Sequence, residues 1–289
     1  MNTTNYRIVT DSACDMGELL KEWGVASVSL TLKFDGEDVA QLNDEIEPVA
    51  FYNRMREGGV AKTSAVNPDA FMGVFEPIVA AGEDILYIGF SSGLSTTYNS
   101  ARLAAEKLSE KYPERKIVTL DSLSASAGFG MLVYLAVKKK QDGATIEENA
   151  EYITSLVPRM CHWFTVDDLV YLKRGGRISP TVAFVGGVLG IKPVLHMDGE
   201  GHLISKFKVR GRRASIKALA DKLTELMTDK TQGPVFICHA DCQNDASLLS
   251  SMIKEEHGLD TDITVFTGPV IGAHSGPGTL ALFFIGNER

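Results

Sequence analysis

Short apolar runs rich in valine and isoleucine alternate with longer helical patterns along most of this 289-residue sequence. The runs predicted as strands cover residues 6–9, 26–32, 85–88, 117–120, 235–238 and 263–266. The segments whose apolar spacing predicts helices are 47–57, 68–81, 95–111, 123–140, 145–156, 215–228 and 244–257. Such alternation favours an α/β fold with mainly parallel sheets covered by helices on both faces. Ligand-binding groups in such folds lie at the carboxyl ends of strands.

The alternating pattern weakens between residues 157 and 213, where glycines and small apolar residues become frequent. The stretch DGEGHL in this region is predicted as a turn between two strands. A chain of this length fits either one large domain or two domains of common size. We predict a domain change near Pro158, with one α/β domain over residues 1–158 and a second over 159–289.

The segment GFSSGLSTTYNSARLAA, residues 89–105, follows one predicted strand and opens a predicted helix. Its turn holds four hydroxyl side chains, those of Ser91, Ser92, Ser95 and Thr96. A strand that turns into a helix N-terminus directs backbone N–H groups and the positive end of the helix dipole at one point, which suits a carboxylate or a phosphate. Ordinary N-capping by Ser95 is the alternative, and it accounts for only one of the four hydroxyls. The pattern therefore favours an anion site.

Further candidate groups lie outside this turn. Thr63, in KTSAVNP, either caps the following helix or presents its hydroxyl to a ligand. Arg174 and Arg177 flank two glycines, which lets a phosphate or a partner protein approach closely. His274 lies in GPVIGAHSGPGTLALFF, predicted as a loop, and it either serves the structure or hydrogen-bonds an anion. The basic residues of KFKVRGR, Arg210 among them, alternate like one face of an exposed strand, where they are either solvated or face a phosphate.

Two other groups of residues allow a metal site but favour a structural role. Asp11, Asp15 and Asp121 follow predicted strands, where aspartates either ligate Mg²⁺ or, more commonly, satisfy the backbone of their own turn. Cys238 and Cys242 have the spacing of half a metal site, but the sequence shows no second half. We therefore expect buried thiols and no metal.

Composition and missing motifs exclude several functional classes. A net charge of −8 argues against a nucleic-acid partner. The N-terminus lacks a signal pattern and no apolar run reaches the ~20 residues that span a bilayer, so we expect a cytoplasmic protein. The glycine-rich nucleotide-binding fingerprints and the nucleophile elbow of serine hydrolases are both missing. The sequence therefore argues against nucleotide binding and against serine hydrolysis.

Eight segments occur in an order that resembles the DegV family, over about residues 7–286. They are VTDSACD, KTSAVNP, GFSSGLSTTYNSA, LDSLSASAGFG, FTVDDLVYLKRGGRIS, GIKPVL, KVRGRR and GPVIGAHSGPGTLALFF. Each segment is a weak signal alone, whereas eight in order are specific. The sequence departs from the family pattern where Ala65 and Val66 replace the usual Gln-Pro and where Thr96 replaces a commoner glycine.

The resemblance implies two α/β domains with a long-chain fatty acid buried between them. It also implies a likeness to the acyl-binding subunit of bacterial fatty-acid kinase, which is a lipid-binding protein rather than an enzyme on its own and uses no cofactor. A separate ATP-dependent kinase subunit phosphorylates the bound acyl carboxylate, giving an acyl phosphate for phospholipid synthesis. The residues that the resemblance places near the carboxylate are Thr63, Ser91, Ser92 and His274. Those that it links to docking or phosphoryl transfer are Arg177 and Arg210.

Alternatives from other functional classes stay open at this point. The chain is alternatively a free-standing small-molecule kinase of the dihydroxyacetone type, or a hydrolase that uses Ser91 or Ser92. Such an enzyme needs its own nucleotide loop or general base, and the sequence shows neither clearly. We expect no nucleic-acid partner and at most transient contact with a membrane. The small residues of 183–190 either form part of a wall for the acyl tail or pack helices together.

Overall fold

The computed structural model describes residues 5–178, 190–227 and 233–289. Its strands are β1 (Tyr6–Asp11), β2 (Ala26–Val28), β3 (Thr31–Phe34), β4 (Gln41–Leu42), β5 (Ala61–Ser64), β6 (Asp84–Gly89), β7 (Ile117–Asp121), β8 (Met160–Thr165), β9 (Ile191–Met197), β10 (Leu203–Arg210), β11 (Phe236–His239), β12 (Ile263–Phe266) and β13 (Leu280–Ile285). Its α-helices are α1 (Glu18–Glu22), α2 (Pro48–Arg56), α3 (Pro68–Ala80), α4 (Thr97–Lys111), α5 (Ala127–Gln141), α6 (Ile146–Leu156), α7 (Val170–Arg174), α8 (Arg212–Leu226), α9 (Gln243–His257) and α10 (Pro269–Ser275). Within those described ranges, no helix is both long and apolar enough to cross a bilayer.

The first sheet has four strands in the order β2, β1, β6, β7, and every pair in it is parallel. Val9 of β1 pairs with Ala26 on one side and with Tyr87 on the other. β6 is buried on both faces, which is why residues 85–88 form a continuous apolar run rather than an alternating one. The loops that follow β1, β6 and β7 lie together at the carboxyl edge of this sheet, where the sequence predicts a ligand site.

The second sheet has six strands in the order β10, β9, β8, β13, β11, β12. Only β11 and β12 pair in parallel, and the other neighbours are antiparallel. The α/β class is confirmed, but the expectation of mainly parallel sheets holds for the first sheet and is wrong for the second. The reason is that β13 returns from the end of the chain to lie between β8 and β11, and that β9 and β10 form a hairpin.

Residues 26–32, predicted as one strand, are divided between two sheets. β2 belongs to the parallel sheet, whereas β3 pairs antiparallel with β4 and β5 in a separate three-stranded sheet. Leu30 lies at the change of direction, where its N–H donates to Ser12 Oγ at 2.9 Å and its carbonyl accepts from Asn43 N–H at 2.9 Å. These bonds replace the strand pairing that Leu30 lacks, and they direct β3 toward α10.

α5 lies between the two larger sheets. It packs against β1 and β6 of the first sheet and against β8, β11 and β13 of the second. Its sequence AGFGMLVYLAV is apolar around most of its circumference, as expected of a helix that is buried on all sides. Side chains from both halves of the chain, including Phe129 of α5 and Phe236 of β11, therefore belong to one continuous hydrophobic core.

The start of α5 differs from the prediction. The helix begins at Ala127 rather than at residue 123, because Leu123 and Ser126 adopt positive φ values of 45° and 55°. Such values are not helical and are uncommon outside glycine. They hold residues 122–126 as a loop at the carboxyl end of β7, beside the loop that follows β6.

The segment around His274, predicted as a loop, contains the short helix α10. Pro269 occupies its first turn, where a missing N–H leaves no hydrogen bond unmade. Gly276 ends it with a φ of 83°. The prediction was wrong because prolines and glycines disrupt the interior of a helix but are favoured at its two ends.

The strands of the two larger sheets fall on either side of the boundary predicted at Pro158. β7, the last strand of the first sheet, ends at Asp121, and β8, the first strand of the second, begins at Met160. The division into domains over residues 1–158 and 159–289 stays a prediction, since one core joins both sheets.

Candidate functional site

A cavity of about 390 Å³ lies where the carboxyl-edge loops of the first sheet meet the inner face of the second. Its wall is mostly apolar and includes Phe90, Leu94, Phe164, Leu172, Met197 and Phe283. Cavities that enclose a small ligand measure roughly 300–1,000 Å³ and combine such a wall with a few polar groups. The geometry therefore suits a ligand that is largely hydrocarbon.

Polar groups gather at one part of this cavity. Thr63 of β5 and His274 of α10 both line it, and Thr63 Oγ1 lies 2.7 Å from His274 Nε2. The antiparallel pairing of β3 with β5 and the packing of β3 and β5 against α10 bring these two residues together. Burial, and then the nearby positive charge of Arg177, lower the pKa of His274 to about 4. The imidazole is therefore neutral near pH 7.

Arg177 also lines the cavity and follows the two glycines of the Arg174-Gly-Gly-Arg177 segment. Its guanidinium donates to the carbonyl oxygens of Leu94 and Gly175 at 3.3 and 2.5 Å. Burial lowers the pKa of this guanidinium from its ordinary value. These partners are backbone carbonyls, and no carboxylate among the described residues forms an ion pair with it, so this part of the cavity carries an uncompensated positive charge.

The two adjacent serines of the predicted anion site have different roles. Ser91 is fully buried, and its hydroxyl donates to the carbonyl of Gly201 at 2.9 Å while accepting from Gly93 N–H at 3.2 Å. Ser92 lines the cavity, and its N–H donates to Asp121 Oδ1 at 3.2 Å. The structure thus brings Ser92, but not the Ser91 hydroxyl, to the cavity wall.

The turn that carries Ser92 packs tightly against the turn between β9 and β10. A Cβ on Gly93 would lie 2.7 Å from the carbonyl oxygen of Glu200 and 2.9 Å from that of Gly201. A Cβ on Gly201, whose φ is 77°, would collide with Ser91 Oγ. Only glycines allow this approach, so the second half of the chain holds the serine turn in place.

Of the carboxylates suggested as magnesium ligands, Asp11 and Asp121 accept from the backbone of their own turns, as favoured from the sequence, whereas Asp15 accepts from Ser126 of a different loop. Asp11 accepts from the N–H groups of Ala13 and Phe90 and from the Tyr87 hydroxyl, and burial raises its pKa to about 6. Asp121 accepts from Leu123 N–H as well as from the serine turn. Where the chain is described, no three His, Cys, Asp or Glu side chains converge in a way that could hold a metal ion.

Ser95 does not form the N-cap that the sequence offered as the alternative to an anion site. α4 begins two residues later, and Ser95 Oγ accepts from Thr97 N–H at 3.2 Å. Both Ser95 and Thr96 line the cavity.

Arg210 does not line the cavity, because it lies exposed at the end of β10, on the alternating basic face that the sequence predicts. Thr63, Ser92, Arg177 and His274 thus meet at the cavity, whereas Ser91 and Arg210 do not reach it.

Several residues that line the cavity were not predicted from the sequence as site residues. His162 of β8 lines the wall, its Nε2 hydrogen-bonds the Ser124 hydroxyl, and burial holds its pKa well below the ordinary value. Ser126, Cys238 and Thr267 also line it. Cys238 is buried, as predicted, but no local pattern marks which buried thiol faces a cavity, because strand pairing decides this. Of the small residues suggested for the tail wall, 183–189 lie outside the described residues.

A family model for the DegV family, described as a family of uncharacterised proteins, matches residues 5–287. The chain belongs to the DegV family. A DegV domain-containing protein of Clostridium perfringens is 41% identical over 286 residues, which cover 98% of this chain and 98% of that protein. A second, from Lactococcus lactis, is 33% identical over 98% of each chain.

Solved DegV structures share the fold over almost the whole chain. A DegV lipid-binding protein from Thermotoga maritima superimposes with a TM-score of 0.86 at 29% identity and covers 99% of both chains. A stearic acid-binding protein from Eubacterium ventriosum gives 0.87 at 27% identity, covering 97% of this chain and 98% of that one. A fatty-acid-binding DegV family protein from Thermus thermophilus gives 0.86 at 27% identity, covering 98% and 99%. The family and fold expected from the eight segments are both confirmed.

Proposed function

We propose that this DegV protein binds a long-chain fatty acid and holds its carboxylate at Thr63, Ser92 and His274. In this proposal it presents the carboxylate to a separate ATP-dependent kinase subunit for phosphorylation to acyl phosphate, a step toward phospholipid synthesis. The observation that carries the proposal is an apolar cavity with Arg177, a cation without a carboxylate partner among the described residues, at its polar part. The fatty-acid-binding DegV proteins of the same fold support it.

The chemistry of the cavity suits both parts of such a ligand. A long acyl tail of about 15 methylenes gains ~0.8 kcal/mol for each one that is buried against the apolar wall. A neutral His274 can donate through Nε2–H to Thr63 Oγ1, which leaves the threonine hydroxyl to donate to a carboxylate oxygen. Arg177, which is half-buried at the cavity, supplies the opposite charge.

The same geometry supports a binding protein rather than a free-standing enzyme. A histidine that activates a threonine nucleophile is oriented through its other ring nitrogen. His274 Nδ1 has no hydrogen-bond partner among the residues that the structure describes. The ATP needed for phosphorylation then comes with the kinase subunit, and this role places the protein in the cytoplasm. We propose that Arg177 and Arg210 orient that partner, since Arg210 lies exposed on β10.

Extraction tests the proposed ligand. The purified protein is denatured, extracted with organic solvent and analysed by mass spectrometry, alongside Thr63→Val, His274→Ala and the matched control Thr264→Val, on the exposed face of β12. We expect about one long-chain fatty acid per chain in wild type and control. Losing one hydrogen bond to a carboxylate weakens affinity roughly 10- to 100-fold. Thr63→Val removes that bond and His274→Ala removes the group that orients the Thr63 hydroxyl, so both variants retain much less fatty acid. An empty wild-type extract, with no thermal shift on adding oleate or palmitate, would contradict the proposal.

A phosphorylation assay tests the proposed partner. With an acyl-loaded protein, ATP and the kinase subunit, we expect acyl phosphate, and no ATP turnover by this chain alone. Arg210→Ala lowers the rate without releasing the fatty acid, whereas Lys107→Ala, which removes an exposed charge on α4, leaves both unchanged. ATP turnover by the isolated chain would favour the kinase of the dihydroxyacetone type instead.

A further inference from the structure

Three buried polar side chains that hydrogen-bond to one another line the cavity away from the Thr63–His274 pair. They are Ser126, Cys238 and Thr267, with exposed fractions of 5%, 1% and 0%. Thr267 precedes α10, whereas His274 lies in the last turn of that helix. The two residues therefore lie near opposite ends of the helix, whose five steps from Pro269 to His274 alone cover about 7.5 Å at 1.5 Å per residue. The three side chains therefore face the tail of a bound acyl chain rather than its carboxylate.

The three side chains form a hydrogen-bonded chain that ends on a buried carboxyl group. The Thr267 hydroxyl donates to Cys238 Sγ at 3.2 Å, and Cys238 Sγ lies 3.2 Å from Ser126 Oγ. The Ser126 hydroxyl donates to Asp15 Oδ2 at 2.5 Å. Burial raises the pKa of the Cys238 thiol to about 12, so the sulfur keeps its proton and can donate it to Ser126.

This series of hydrogen bonds leaves lone pairs of the hydroxyl oxygens without a donor beside the cavity. A hydroxyl oxygen has two lone pairs, and among the residues that the structure describes none donates to Thr267 Oγ1. The backbone of Thr267 is fixed, because its N–H donates to the His239 carbonyl at 2.9 Å and its own carbonyl accepts from the Tyr52 hydroxyl at 2.6 Å. When a saturated acyl tail lies beside it, the Thr267 hydroxyl oxygen accepts no hydrogen bond, whereas in water it would accept one.

The direction of the hydrogen bonds depends on the protonation of Asp15. Burial raises the pKa of Asp15 to about 8, so this carboxyl group holds its proton near neutral pH. A protonated Asp15 can donate to Ser126, which reverses these hydrogen bonds: Cys238 then donates to Thr267, and the Thr267 hydroxyl is free to donate into the cavity. A ligand hydroxyl serves both directions because it donates and accepts, whereas a carbonyl group only accepts.

Resting on the fatty-acid binding proposed above, we infer that Ser126, Cys238 and Thr267 form a second polar subsite, which selects acyl chains that carry a hydroxyl group near the middle of the chain. The ligand class is thus a mid-chain hydroxylated long-chain fatty acid. Its carboxylate lies at the Thr63–His274 pair, and its hydroxyl completes the hydrogen bonding of Thr267 or Ser126.

Competition binding with three acids of equal length tests this inference. They are stearate, stearate with a mid-chain hydroxyl, and stearate with the hydroxyl on the carbon next to the carboxylate. One net hydrogen bond corresponds to a factor of about ten in affinity. We therefore expect the mid-chain hydroxy acid to bind the full chain about tenfold more tightly than stearate, and the other hydroxy acid to show no such gain. The control Thr264→Val keeps this ratio.

Thr267→Val, which keeps the shape of the side chain and removes its hydroxyl, should bring the affinity ratio to about one, and Ser126→Ala should lower it. A mid-chain hydroxy acid that binds wild type no more tightly than stearate would overturn the inference while leaving fatty-acid binding intact. Retention of the full ratio by both variants would also overturn it. Failure of all three acids to bind would instead overturn the proposed function itself.

Discussion

At the scale of single residues, Gly175 determines whether the site can form. A Cβ at this position would collide with His274 Nδ1, although the backbone of Gly175, with φ of −72°, accepts any residue. We expect Gly175→Ala to cost about 1–3 kcal/mol in the free energy of unfolding and to displace His274 from Thr63. Urea unfolding and measurement of retained fatty acid check this.

Gly199→Ala is the matched control, because nothing lies within 4 Å of a Cβ there and its φ is not positive. It should change the free energy of unfolding by less than about 0.5 kcal/mol and leave the fatty acid in place. Equal effects of the two substitutions would show that the approach of Gly175 to His274 has no importance.

His274 makes stability depend on pH in a defined window. Its pKa is about 4 in the folded protein and about 6.5 in an unfolded chain, so the folded state binds fewer protons between these values. Stability therefore falls as pH falls through this window. Relative to His274→Gln, wild type should lose on the order of 2 kcal/mol between pH 7 and pH 4.5 in urea unfolding. The other titrating groups contribute equally to both proteins, so the difference in their free energies of unfolding reports on His274. If that difference did not change with pH, the lowered pKa of His274 would be refuted.

The sequence predicted four residues that the structure brings to the cavity, Thr63, Ser92, Arg177 and His274, but not their arrangement. Thr63 and His274 were both candidates, yet 211 positions separate them, and only the packing of β5 against α10 makes them partners. Ser91 and Ser92 were equivalent candidates, because which hydroxyl faces the cavity depends on the non-local contact with Gly201. Ser126 and Thr267 carried no local signal.

At the scale of elements, α5 is the helix on which both larger sheets depend. Leu132 of α5 is fully buried between them. We expect Leu132→Ala to cost about 2–5 kcal/mol in urea unfolding, through lost burial and the cavity it leaves. Leu103→Ala, at a position of α4 that is 42% exposed, is the matched control and should change stability by no more than about 0.5 kcal/mol. Similar losses from both would contradict the central position of α5.

Elements with strong local patterns could be predicted, and those that depend on pairing could not. β6 and α3 lie within a residue or two of their predicted bounds, because a continuous apolar run and a Pro at the helix start are local signals. β5, with the sequence AKTS, has no alternation to detect. The antiparallel placement of β13 between β8 and β11 depends on contacts between segments more than 40 residues apart.

At the scale of the whole molecule, the hydrophobic core that joins both larger sheets predicts one unfolding transition, although a second cluster, which includes Trp163, lies apart from it. The chain has two tryptophans, Trp23 beside the first sheet and Trp163 in β8 of the second. In Trp23→Phe and Trp163→Phe, the remaining indole reports on one half only. We expect the fluorescence midpoint in urea to coincide with the midpoint from circular dichroism in each variant. Separate midpoints would mean that the halves on either side of Pro158 unfold independently.

The tight contact between the serine turn and the β9–β10 turn has a mechanical consequence. β10 extends from Leu203 to Arg210, roughly 25 Å at ordinary strand rise. Its pairing with β9 shifts register once, between Ser205 and Phe207. The turn that precedes this strand contacts Gly93, and the exposed Arg210 lies at the other end of the strand. Continuous backbone therefore connects a displacement at Arg210 to the turn that contacts Gly93, whose neighbour Ser92 lines the cavity.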